Sequence, residues 1–198
     1  DLYVTNSGQA NLFFQNNGFR FAELADSFSV AVGEDSRGVG LADYNGDGGL
    51  DLFVAVQNGS DRLFRNQESN GNWLTIRPRG TDSSSDAICT RFEIVYDSGK
   101  RAVREITGGS SYLSQDALSA TFGLGNASSI DTLTIRWPLG IVQKETNLAI
   151  NRILDLTEQK PLEPFSIRLS ATSKALVATG QSQTQILATL LNIQDERS

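Results

Sequence analysis

Apolar residues occur along this 198-residue chain in short runs, alternating or continuous, separated by clusters of Gly, Asn, Asp and Ser. A period of two puts every second side chain on one face of an extended backbone, and the intervening clusters supply turn chemistry. This pattern predicts strands over residues 1–5, 12–16, 38–42, 51–57, 62–66, 73–78, 92–96, 102–106, 120–124, 132–137, 141–145 and 153–156. Two later alternating runs, residues 165–169 and 186–191, follow a stiff connection marked by Pro161 and Pro164. No stretch keeps a 3.6-residue apolar period over three turns, so the predicted class is all-β.

The strands are not all independent. Asp1-Leu2-Tyr3-Val4 matches Asp51-Leu52-Phe53-Val54, and Phe13-Phe14-Gln15-Asn16 matches Leu63-Phe64-Arg65-Asn66, both at an offset of 50 residues. A repeat near that period in an all-β chain points to propeller blades. Asp1 aligns with Asp51, so the chain is expected to begin inside a repeat whose preceding loop lies outside it.

Charge sharpens this division. The chain holds 17 Lys+Arg against 23 Asp+Glu, one Cys, and neither His nor Met. Residues 1–70 hold ten acids and four Arg, whereas the remainder balances. A chain without clustered Lys/Arg is not expected to bind nucleic acid, and one without a run of about 18 apolar residues is not expected to cross a membrane as a helix. The absence of His removes Ser-His-Asp and Cys-His catalysis. No enzymatic activity is therefore expected. Cys89, alone in an apolar stretch, reads as a small core residue.

The acids of the first segment are arranged. In Asp43-Tyr44-Asn45-Gly46-Asp47-Gly48-Gly49-Leu50-Asp51, side-chain oxygens fall at loop positions 1, 3, 5 and 9, with Gly at position 6. Gly49, at position 7, offers its carbonyl. Hard Ca²⁺ takes six to eight oxygens at such spacing, so Asp43, Asn45, Asp47, Gly49 and Asp51 are the candidate ligands. Val54 stands where an EF-hand needs a bidentate Glu, and the flanks read as strands rather than helices. The competing reading is an Asx- and Gly-rich turn that needs no cation.

These residues resemble the calcium loop of FG-GAP/VCBS-type repeats, the blades of integrin-like β-propellers. The strand after each loop is similar too, in Asn11-Leu12-Phe13-Phe14-Gln15-Asn16 and Asp61-Arg62-Leu63-Phe64-Arg65-Asn66. Residues 72–158 resemble the ASPIC/UnbV domain, on Asn72-Trp73-Leu74, the stretch from Arg104 to Gln115, Phe122-Gly123-Leu124-Gly125 and Arg136-Trp137-Pro138-Leu139-Gly140. The chain departs from that family at Cys89-Thr90, where a Gly-Ala pair is usual. The tail around Thr179-Gly180-Gln181-Ser182 is more distantly similar to bacterial Ig-like adhesin domains.

The expected architecture is partial propeller-like blades over residues 1–70, a β-sandwich-like domain over 71–159, and a linker with an incomplete Ig-like segment over 160–198. The expected function is a non-enzymatic, Ca²⁺-binding module outside the cell or at its surface. Its role would be adhesion or structural assembly, including a fibre subunit whose sheets neighbouring chains complete. Partners would be copies of itself, other surface proteins, or glycans. The alternative is a carbohydrate-binding accessory domain of a secreted enzyme. The Gly- and hydroxyl-rich residues 107–115 either cradle a sugar or anion, or form a turn that packs Tyr112 and Leu113 onto a sheet. Trp73 and Trp137 read as core residues.

Overall fold

A computed structural model describes residues 1–67, 71–159, 166–171 and 186–191. The described residues are all strand, turn and irregular chain, with several small sheets, no helix and no closed barrel. The chain forms two compact units, Asp1–Gln159 and Lys160–Ser198. In the second, β14 (Ser166–Ala171) pairs antiparallel with β15 (Ile186–Leu191). The turn around Gly180 on which the Ig-like resemblance rested lies outside the described residues.

The first unit opens with two three-stranded antiparallel sheets. One is β1 (Leu2–Val4), β2 (Leu12–Asn16) and β3 (Phe21–Glu23); the other is β4 (Ser36–Ala42), β5 (Asp51–Val56) and β6 (Arg62–Phe64). The 50-residue offset holds in three dimensions. Leu2 pairs with Phe14 and Tyr3 with Phe13, as Leu52 pairs with Phe64 and Phe53 with Leu63. The polar caps repeat as well. Asp1 Oδ1 accepts the Asn16 N–H at 2.8 Å, and Asp51 Oδ1 accepts the Asn66 N–H at 2.8 Å. Asn11 Oδ1 accepts the Asn6 N–H, and Asp61 Oδ1 accepts the Val56 N–H. A period of 50 in sequence is thus a period in register and in capping.

A small cluster of Val32, Val54 and Val56, flanked by Tyr3, Val39, Leu52 and Phe64, joins the two sheets. Beside it lies a buried polar network. The fully buried Asn11 amide donates to Tyr3 Oη at 3.0 Å and to Ser36 Oγ at 2.9 Å, and Tyr3 Oη donates to the Val30 carbonyl. Burial outweighs the Asn11 donation and raises the Tyr3 hydroxyl above its ordinary pKa. Strand β3 has no counterpart among the sequence-predicted strands. Its residues are all exposed, so it lacks the half-buried alternation that reveals a strand, and pairing with β2 alone defines it.

Two further sheets follow. One has the order β10 (Ala120–Gly125), β7 (Asn72–Arg79), β13 (Arg152–Thr157), with β13 parallel to β7. The other has the order β12 (Val142–Leu148), β11 (Ile130–Arg136), β8 (Arg91–Tyr96), β9 (Lys100–Glu105). Leu74, Ile76, Phe122, Leu124 and Leu156 from the first share one buried cluster with Phe92, Ile94, Ile130, Leu133 and Ile135 from the second. Each fully buried side chain of this size stabilises by about 1.5–3 kcal/mol, so this cluster dominates the unit. Ile130 and Leu133 both reach it despite their odd spacing. The register of β11 shifts between Ile130 and Thr132, and a bulge of one residue restores the inward alternation.

Trp137 is buried in this cluster as expected, but Trp73 is not. Leu74 and Ile76 point inward, which turns Trp73, Thr75 and Arg77 to the outer face of β7. Cys89 also departs from the reading as a core residue: it is exposed. Its φ of 70° lies in the left-handed region, where the missing Cβ of glycine is an advantage. The position at which the chain lacks the family's usual glycine is therefore one whose backbone favours glycine.

Candidate metal centre

The loop of residues 43–51 joins β4 to β5, and the alternation of those strands fixes where it starts and ends. Ala42 and Asp51 are cross-strand partners, so the loop closes a hairpin. Gly46 and Gly48 adopt φ of 77° and 89°. A side chain at Gly48 would also collide with Trp73, whose ring atoms lie 2.3 Å from where a Cβ would sit. The glycine at position 6 thus permits both the turn and the seating of the loop against the outer face of β7.

The five predicted residues lie in this loop, and each carboxylate turns to its own N–H donors. Asp43 Oδ1 accepts the N–H groups of Gly46 at 2.7 Å and Asp47 at 3.1 Å, while its Oδ2 accepts that of Gly48 at 2.9 Å. Asp47 Oδ1 accepts the Gly49 N–H, and its Oδ2 accepts from the Asn45 amide at 2.8 Å and from Arg65 at 3.3 Å. Asn45 Oδ1 accepts the Asp47 N–H. Buried Asp51 divides its oxygens between the Tyr44 N–H at the start of the loop and the Asn66 N–H beyond β6. The Gly49 N–H leads the donors that lower the Asp47 carboxyl below its ordinary pKa, followed by the Asn45 amide and Arg65.

The donor set is all oxygen, as a hard cation requires. Each carboxylate offers about four lone-pair sites, more than the N–H groups here occupy. The residues therefore fit Ca²⁺ in kind. In the arrangement shown the loop's own N–H groups and Arg65 offset the acidic charge, and among the described residues no group of three or more His, Cys, Asp or Glu side chains gathers as metal ligands.

The loop is anchored from both sides. On the free edge of β4, the Val39 N–H donates to Ser114 Oγ and the Leu41 N–H to Asp116 Oδ1, both at 3.0 Å, and the Ala117 N–H donates to the Leu41 carbonyl at 2.9 Å. Gly38 and Gly40 make this approach possible, since added Cβ atoms would lie 2.2 Å from the Leu113 carbonyl oxygen and 2.9 Å from that of Gln115. The stretch rich in Gly and hydroxyls therefore serves as an edge cover for β4. The expectation that Tyr112 and Leu113 pack onto a sheet does not hold: the two residues are 74% and 69% exposed, and Ser114, Asp116 and the Ala117 N–H make the contact.

Sequence reasoning missed a second carboxylate site. Glu158, 2% exposed, accepts the N–H groups of Thr81, Asp82 and Ser83 on Oε2 and the Ser83 hydroxyl on Oε1. Burial by itself raises its carboxyl, but the donors from Ser83, Thr81 and Asp82 outweigh it and leave the pKa below its ordinary value. Gly80 lets the loop fold this tightly, because a Cβ there would lie 2.1 Å from the Ser84 carbonyl oxygen. The signal in the sequence was a Gly followed by small polar residues; nothing local pointed to an acid so far along the chain.

Comparison with known proteins places both halves of the unit. Cartilage acidic protein 1 of Xenopus tropicalis is 40% identical over 73 residues, covering 36% of this chain and 11% of that protein. Its human counterpart is 30% identical over 160 residues, covering 68% of the chain and 24% of its own length. The mouse protein is 28% identical over 178 residues, covering 76% of the chain and 27% of its own length. The chain thus spans about a quarter of the length of the human and mouse relatives. Residues 1–54 match the family model described as FG-GAP-like repeat, and residues 80–163 match the one described as ASPIC and UnbV. The chain carries an FG-GAP-like repeat followed by an ASPIC and UnbV domain.

Proposed function

We propose that this chain is a non-enzymatic, extracellular, Ca²⁺-binding β module that serves adhesion or structural assembly. The observation that carries this reading is the loop of residues 43–51, with four side-chain oxygen donors in one hairpin seated against the neighbouring sheet. Asp43, Asn45, Asp47 and Asp51, with the Gly49 carbonyl, would hold the ion. Bound there, Ca²⁺ would supply positive charge against the loop's carboxylates. The chain's own groups supply the frame: Asp51 joins the loop to the end of β6, Trp73 backs Gly48, and Ser114 and Asp116 hold β4. An extracellular setting accords with relatives named for cartilage and with the millimolar Ca²⁺ that fills weak sites there.

Calorimetric titration and thermal melts with Ca²⁺ and with EGTA test this reading. Ca²⁺ is expected to raise Tm, and D43N combined with D47N is expected to remove that rise, on top of a lower melt in EGTA because both carboxylates also cap loop N–H groups. A melt indifferent to Ca²⁺ would leave the loop as a self-capped turn and overturn the metal role.

A further inference from the structure

The outer face of the four-stranded sheet gathers cations from three strands. Phe92, Ile94, Leu133 and Ile135 point into the core, so alternation turns Arg91, Glu93, Thr134 and Arg136 outward. Cross-strand partners share a face. The registers therefore set Arg136, Arg91 and Glu105 side by side in one outer row, and Lys144, Thr134 and Glu93 in the next. Arg91 and Arg136 stand directly opposite each other, with Cα atoms about 5 Å apart, and Lys144 lies diagonally across from Arg136 on β12. All three cations are exposed.

Like charges directly opposite in a sheet are destabilising, and the fold supplies no counter-charge here. Glu93 is taken by Arg101. Among the described residues Arg91, Arg136 and Lys144 form no ion pair, and Glu105 does not close on its partner Arg91. A pair of guanidinium groups left in this state is set up for an anion from outside. The exposed apolar side chains of this face are Val103 and Val142. Its rows hold no aromatic ring to stack a base or to anchor a protein partner, which favours a hydrophilic polyanion. The cluster is hidden in the sequence because its members come from β8, β11 and β12.

We propose that Arg91, Arg136 and Lys144 bind an acidic polysaccharide, with one sulfate or carboxylate group held between the two guanidinium groups. Arg forks hydrogen-bond oxyanions bidentately, and the ligand supplies the counter-charge that the sheet lacks. This inference rests on the adhesion part of the proposed function and deepens it by naming a ligand class and its face; it does not depend on the metal.

Retention of the 198-residue chain on immobilised dextran sulfate, in EGTA and over a series of salt concentrations, tests it. EGTA removes any Ca²⁺ bridge between sulfates and the loop of residues 43–51. The net charge of −6 opposes a polyanion, so retention needs a local cationic face. The chain is expected to bind dextran sulfate and to ignore unsulfated dextran. R91Q combined with R136Q is expected to weaken binding at least about tenfold and to lower the slope of log affinity on log salt by about two. K144Q is expected to weaken it about threefold, and R20Q, which removes a cation from the turn between β2 and β3, is expected to leave it unchanged. Each Arg substitution also relieves the like-charge pair, so R91Q and R136Q are expected to melt at or above the parent Tm, which separates lost binding from lost folding. No retention in EGTA, or a loss with R20Q equal to that of the double variant, would overturn the proposal. So would equal retention on single-stranded DNA or polyglutamate, or displacement by inorganic sulfate at the same group concentration, which would assign the face to any polyanion or to a free ion. Retention together with a melt indifferent to Ca²⁺ would sink the metal reading and leave this one standing; a Ca²⁺-dependent melt without retention would do the reverse.

Discussion

Phe92 and Asn11 are both fully buried, yet hydrocarbon surrounds the one and hydrogen-bonding groups the other. Phe92 belongs to the cluster shared by the two sheets after residue 71, where apolar side chains from strands and loops do not have to meet at any particular angle. Asn11 belongs to the repeats, where the apolar cluster is three valines and its fringe. There the sheets are held by side-chain oxygens and amides that cap N–H groups at fixed places: Asp1, Asn11, Asp51 and Asp61. The difference teaches how a region poor in core keeps a defined shape. Non-directional burial tolerates variation in position, whereas caps demand a side-chain oxygen at the same offset. The region held by caps is accordingly the one in which the repeat stays visible in sequence.

The comparison can be tested from its strongest side downward. Removing hydrocarbon from the larger cluster should be the most damaging change: F92A is expected to cost about 3–5 kcal/mol, read as a loss of denaturant midpoint. Next is the Glu158 cradle. Its folded pKa lies below the unfolded value of about 4.3, so its contribution is complete above that pH and is lost as the pH falls through the folded value. E158Q is expected to lose about 2–3 kcal/mol at neutral pH and to show a shallower decline in Tm on acidification than the parent chain.

The repeats supply the third test. N11A leaves the Asn6 N–H without its acceptor and the Tyr3 and Ser36 hydroxyls without the amide that donates to them, and should cost about 2 kcal/mol, against about 1 kcal/mol or less for D61A, its exposed equivalent. Hydrogen exchange should locate the N11A loss in residues 1–66 and leave β8 and β11 protected; uniform loss across the unit would show that the two regions unfold together and that the contrast is only architectural. The smallest effect has the opposite sign. C89G relieves a left-handed backbone at an exposed position and is expected to raise stability by about 0.5–1 kcal/mol. An unchanged or lowered Tm would show that the Cys89 side chain contributes more than its conformation costs.

Much of this fold could be read from the chain because strand alternation and turn chemistry are local. Strands β1, β2, β4 to β13 and the two of the tail fall where the apolar pattern puts them, with no end moved by more than three residues. The loop of residues 43–51 was equally legible, since its donors and glycines lie within nine positions. Strand β3 was not, because its side chains are exposed, and Trp73 was misread because alternation says which residues share a face but not which face is inward.

The sequence by itself determined the all-β class, the 50-residue repeat and the oxygen-rich loop, each a matter of spacing within a few tens of residues. Only the tertiary structure decided what that loop rests on, which strand lies parallel to β7, what covers the edge of β4, and where the Thr81–Ser83 N–H groups find their carboxylate. Those contacts join residues far apart in the chain. Their partners are chosen by shape and by unmet hydrogen-bonding groups after the strands have packed, and no local pattern encodes that choice.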